Sequence, residues 1–99
     1  MIPSNRTATH PGVILLKEFL EPLELTQKAL ATHIGVPVQR VNEIVRGKRG
    51  VTPQTAWLLS EALCTTPEFW LNLQRPVDLW EAEAGIRDEV QAIEPLVLA

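Results

Sequence analysis

Between Gln39 and Arg49 the chain places two amides, one carboxylate and four cations: Gln39, Asn42, Glu43, Arg40, Arg46, Lys48 and Arg49. The chemistry open to such a set is hydrogen bonding to nucleic acid. A Gln or Asn amide pairs bidentately with adenine, an Arg guanidinium with guanine, and a Glu carboxylate accepts from cytosine N4. At about 100° per residue, Gln39, Asn42, Glu43 and Arg46 fall within roughly 100° of one another, with Arg40 just beyond Glu43. Gln39, Arg40, Asn42 and Glu43 lie in the first turn and a half, the part of a recognition helix that meets bases. Arg46, Lys48 and Arg49 follow at the helix end and in a loop flanked by Gly47 and Gly50, positions suited to phosphate oxygens. Gln27 and Lys28 open the preceding helix and add side chains and free N–H groups for the backbone.

These residues need a helix that presents them outward. On its other side Val38, Val41, Ile44 and Val45 fall within about 120° and are expected to face a core. A valine-rich helix has poor intrinsic propensity, so this one depends on packing. Before it, "QKALATHI" follows Thr26, a good N-cap, and ends at Gly35, with Ala29, Leu30 and Ile34 expected inside. Val36 can drop beneath the turn, and Ala31 is small enough for close approach. Two short helices joined by about three residues describe a helix-turn-helix, although a generic helical hairpin meets the same requirements. Pro37 stands where a side-chain cap for the reading helix is expected.

Other helix signals frame this unit. Pro11 begins a first helix carrying Val13, Ile14, Leu16, Phe19 and Leu20 until Pro22 stops it. Thr52-Pro53 and Thr66-Pro67 start "PQTAWLLSEALC" and "PEFWLNLQ". A further stretch, "VDLWEAEA", follows Pro76, and Gly85 is expected to break it. The tail "GIRDEVQAIEPLVLA" suits either another helical turn or a short strand. The expected fold is all-α, five to six short helices around one core. Residues 1–10 read as a flexible arm, 11–84 as the helix-turn-helix domain with dimerisation helices, and 85–99 as a tail of open structure.

Composition narrows the function classes. Ninety-nine residues with 45% hydrophobic and 21% charged content suit one soluble domain. The net charge of -3 is unevenly spread: -1 over residues 1–25, +4 over 26–50 and -6 over 51–99. A basic island attracts a polyanion, and the acidic remainder suits a basic protein partner. With no apolar run near the roughly 18 residues of a membrane span and no signal-peptide core, a cytoplasmic location is expected. A lone cysteine, Cys64, excludes a disulfide framework and reads as a small buried apolar residue. His10 and His33 lie on different segments without metal-ligand spacing, and His33 suits the negative end of its helix. No catalytic constellation, cofactor motif or metal site is expected. Trp70 reads as core, while Trp57 and Trp80 are expected at a homodimer contact, because "AWLLSEAL" is apolar on more than one face.

The segment from "LTQKALATHIGVPVQRVNEIVRGKRGVTP" through "TTPEFWLNLQRPVDLWEAEA", with "HPG" ahead of it, resembles the Xre-type helix-turn-helix antitoxins of the HigA group. That group includes proteins called virulence-associated protein I and plasmid-maintenance antidotes. The resemblance covers residues 8 to 84, and "TTPEFWLNLQRPVDLWEA" narrows it from the wider repressor superfamily. Pro37 departs from the capping Ser commoner there. The resemblance implies a lambda-repressor-like, dimeric antitoxin. Such a protein binds double-stranded DNA at an inverted-repeat operator, represses its own operon and neutralises a HigB-like toxin, a RelE-like ribosome-dependent mRNA endonuclease. Two alternatives remain: a helix-turn-helix repressor without a toxin partner, and a helical module that binds only protein.

Overall fold

The structure, a computed structural model, describes residues 8–97 and contains five helices and no strand among them. The first, α1, begins as an α-helix over Pro11–Ile14 and continues as a π-helix over Leu15–Leu20. Its entry explains the "HPG" triplet. His10 is the N-cap, its Nδ1 accepting from the Gly12 N–H at 2.9 Å, and Pro11 fills the first helical position. Gly12 is glycine for contact rather than conformation: a Cβ there would run into the Ile44 carbonyl group. The π stretch places Leu15 and Leu20 together in the core, a spacing that an α-helix would separate by about 140°. The helix ends at Leu20, two residues ahead of Pro22.

Helices α2 (Gln27–Ile34) and α3 (Val38–Val45) form the expected pair. Thr26 Oγ1 accepts from the Ala29 N–H at 3.0 Å, and Gly35, at φ 78°, closes α2 in the left-handed region. Leu30 and Ala31 are buried, with Ile34 packed against them. Ala29, expected inside, is exposed; it lies about 100° from Leu30 on the side away from Ala31. In α3, Val41 and Ile44 are buried and Val45 is partly covered, but Val38 is 46% exposed. A helical Cα–Cβ bond tilts toward the N-terminus, so the first residue of α3 projects back over the turn rather than into the core.

Helix α4 (Pro53–Leu63) starts on Thr52, whose Oγ1 accepts from the Thr55 N–H at 3.3 Å. It buries Ala56 and Leu59. Cys64 ends it at φ 56° and is exposed, not buried as expected, because the helix stops one residue short of it. Helix α5 (Pro67–Gln91) joins what the sequence divides into two. Pro76 removes one N–H from its ladder, yet Gln74 and Val77 are buried on either side and Gln74 Nε2 donates across it to Asp78 Oδ1 at 2.8 Å. Core burial and this side-chain bridge carry the helix through. The break expected at Gly85 is a kink at Ile86 (φ -128°, ψ 22°) inside a helix that continues to Gln91. Residues 92–97 are non-helical and exposed, with no strand pairing. The expected N-terminal arm lies outside the described residues up to residue 7.

Trp70 is the centre of the core, fully buried, its Nε1 donating to Thr65 Oγ1 at 2.7 Å. Phe19 and Phe69 pack on it with ring centroids 5.4 and 5.0 Å away. Burying so large a ring together with its N–H donor is what lets α5 clamp α1 and α4 behind the helix-turn-helix pair.

Candidate nucleic-acid interface

The turn delivers α3 with its polar face outward, and the residues expected on that face divide into two sets. Gln39 is exposed and Arg40 is half-exposed without an ion pair among the described residues. Asn42 and Glu43, by contrast, are occupied within the protein. Asn42 Nδ2 donates to Gln27 Oε1 at 3.1 Å, joining the first turn of α2 to the middle of α3. Glu43 accepts from Arg49 Nε at 2.9 Å and, more weakly, from Gln39 Nε2 at 3.5 Å. The Arg49 hydrogen bond holds the Glu43 carboxyl below its usual range, with the Arg49 and Lys48 charges and the Gln39 amide acting in the same direction. A carboxylate so held stays ionised and aims Arg49 rather than standing free.

No side chain caps α3, because Pro37 has no polar atom to offer; the Pro37 carbonyl accepts from the Arg40 N–H at 3.0 Å. The first N–H groups of α3 therefore stay open at the surface, an arrangement that favours an anion. Beyond the helix, Gly47 at φ 74° turns the chain back so that the Lys48 and Arg49 N–H groups both donate to the Glu43 carbonyl, at 2.8 and 3.2 Å. Arg46, Lys48 and Arg49 are exposed around this turn. Lys28 is exposed on α2, while Gln27 is half-buried against Asn42. The outward face of α3 thus presents the Gln39 amide and Arg40 near its start and the exposed cations Arg46, Lys48 and Arg49 at and beyond its C-terminal end, a surface able to grip phosphates and reach base edges.

Two groups that position this face are not found from residue types alone. His10 packs beside Gly47, where an added Cβ would lie 3.9 Å from its ring, and burial lowers its pKa against the opposing pull of Glu81 and Asp78. Gln74 reaches the far end of the basic loop from α5. The triplet "HPG" and the glycine pair around the loop are the signals that point to them. Elsewhere, Trp57 is 60% exposed on α4, and Trp80 is half-buried on α5. No cluster of His, Cys, Asp or Glu suited to a metal occurs among the described residues, nor any helix long and apolar enough to cross a membrane.

The sequence profile of the helix-turn-helix family matches residues 16–70. Antitoxin HigA-1 of Vibrio cholerae serotype O1 is 40% identical over 100 residues, covering 100% of this chain and 93% of its own. The transcriptional regulator YbaQ of Escherichia coli K12 is 42% identical over 89 residues, 90% of this chain and 79% of that one. Among solved structures, antitoxin GraA in complex with its operator superposes with a TM-score of 0.85 at 41% identity, covering 99% of both chains. The operator-bound relative and this chain share the whole architecture, α5 included. The chain belongs to the helix-turn-helix family and, within it, to the group that holds the HigA-type antitoxins.

Proposed function

We propose that this protein is an antitoxin that binds its own operator through α3 and the loop after it, and neutralises a basic, RelE-like mRNA-cleaving toxin of the HigB kind. One observation carries the DNA half: Gln39 and Arg40 reach the surface on a helix whose surroundings hold Lys28, Arg46, Lys48 and Arg49. In this reading Gln39 and Arg40 meet bases, and the four cations meet phosphates. Asn42 and Glu43 act mainly by holding Gln27 and Arg49 in place, which shifts their expected role from base contact toward positioning.

A homodimer completes the operator reading. A two-fold pair of such domains sets its recognition helices about 34 Å apart, one turn of DNA, and requires an inverted repeat. The exposed Trp57 supports a covered face on α4, and Trp80 is placed on the helix that extends beyond the core. The toxin half rests on charge: residues 51–99 carry -6, and Glu81, Glu83, Asp88 and Glu89 are exposed along α5, complementary to a basic RNA-cutting partner. The relation to YbaQ, named as a transcriptional regulator, favours a repressor without a toxin as the second reading.

Footprinting on the DNA upstream of its gene, paired with co-expression of the neighbouring reading frame, tests both halves. Protection of two half-sites one helical turn apart and stable capture of a basic neighbour are expected. Protection without capture selects the repressor reading, and neither result leaves the protein-binding helical module.

A further inference from the structure

The loop that carries Lys48 and Arg49 is fixed at its front end by α3, through the Glu43 and Ile44 carbonyls. Among the described residues, its rear end has no such support from neighbouring backbone. There the chain passes Gly50 and buries Val51 before α4 begins at Pro53. The contact that fixes it comes from 23 residues further along. Gln74, only 6% exposed, accepts from the Val51 N–H through Oε1 at 2.7 Å. Its Nε2 donates to Asp78 Oδ1 at 2.8 Å. The orientation of the amide is chemically determined, since the N–H of Val51 requires the oxygen and the carboxylate requires the NH₂ group.

Gly50 completes the arrangement. A Cβ on Gly50 would stand 2.8 Å from Gln74 Nε2 and 2.9 Å from its Cδ, so the glycine is what lets the amide plane approach the loop. Burial of an amide is costly unless its polar atoms are paired, and here both ends are. A buried, doubly bonded glutamine is unnecessary for closing a core, which Val77 and Trp70 already fill on the same helix.

We propose that Gln74, oriented by Asp78, is a positioning residue for DNA binding: it sets the pose of the basic loop from α5 without touching DNA. This rests on the operator-binding reading above. A consequence is that α5 is mechanically tied to the DNA face at a point next to the helix's exposed half.

The test uses the full-length protein and exploits the donor–acceptor order. In Gln74→Glu the introduced carboxylate still accepts from Val51 but meets the Asp78 carboxylate, a like-charge contact. Adding Asp78→Asn supplies an NH₂ group to the introduced carboxylate and rebuilds the relay in reverse. Hydrogen exchange at the Val51 amide, measured without DNA, is expected to quicken about tenfold in Gln74→Glu and return to within about threefold in the double variant, as coupled neighbours do. Affinity for the DNA upstream of its gene should fall about tenfold and recover in parallel. Unchanged exchange in Gln74→Glu, or damage that the double variant does not repair, overturns the proposal. So does a loosened loop with undiminished DNA affinity. If the unaltered protein shows no affinity for that DNA, the operator reading fails instead, while the exchange measurement still decides whether Gln74 holds the loop.

Discussion

The two ends of this molecule are built on opposite principles. At the end that carries α3 and its basic loop, close contacts hold the turns: Gly12 against Ile44, Asn42 to Gln27, Glu43 to Arg49, Gln74 to Val51. At the other end, the last half of α5 leaves Leu79, Ile86 and Val90 exposed, and its ion pair between Glu83 and Arg87 lies within a single helix turn at the surface. The first end uses several polar side chains to fix one geometry before any ligand arrives. The second has apolar surface and acidic charge left over, as a surface that a partner covers does. Recognition of a rigid duplex rewards preorganisation, and in the proposed reading the second end is the one left open for a protein partner.

The largest expected effect breaks this contrast if it fails. Gly12→Ala drives a Cβ into the backbone of α3 and should destabilise by about 3 kcal/mol or more, measured by thermal unfolding. Gly85→Ala meets nothing within 4 Å and should be neutral or stabilising by up to about 1 kcal/mol. Equal damage from both would show that α5's far end is packed as tightly as the front. Next in size, Gln39→Ala should cost about 1–3 kcal/mol in operator binding, concentrated at one base position. Uniform weakening on all sequences would move Gln39 to the backbone.

Smaller still, Ile86→Glu or Val90→Glu should leave unfolding of the isolated chain within about 0.5 kcal/mol while reducing self-association or toxin capture, read by light scattering and co-purification. The smallest effect is on pH. Burial lowers the pKa of His10, so the unfolded chain takes up a proton first as pH falls below the ordinary histidine range. Stability contributed there is full above the unfolded value and declines as pH drops through it toward the lower folded value. His10→Asn keeps a good N-cap without titrating and should flatten the melting temperature between about pH 7 and 5. An unchanged pH profile would place the acid sensitivity elsewhere.

Periodicity and punctuation make the fold legible. Thr26, Thr52 and Thr66 all cap as their positions suggest, and Gly35 ends α2 in the conformation that its type takes most cheaply. What a one-dimensional pattern misses is contact across the chain. The angles of α3 bring Asn42 and Glu43 to the polar face, but nothing local reveals that Gln27 and Arg49 occupy them. Val38 and Ala29 lie at the edges of their apolar arcs, where the first-residue tilt and the true centre of the buried face decide exposure. Pro76 reads as a stop because a proline's local cost is visible while the buried Gln74 and Val77 that outweigh it are not. Pro37, where a capping side chain is expected, proves compatible with α3 because the helix starts there without a side-chain cap.

Operator binding by α3 and its basic loop is tested most directly by salt. Each neutralised phosphate releases counterions, so the proposed dimer, presenting Lys28, Arg46, Lys48 and Arg49 twice, should lose affinity for the DNA upstream of its gene on the order of a thousandfold between about 50 and 200 mM salt. The loss should shrink when Lys48 and Arg49 are both replaced by Ala, with a shallower slope of log affinity against log salt. Affinity indifferent to salt over that range, or a slope unmoved by the double substitution, contradicts the account.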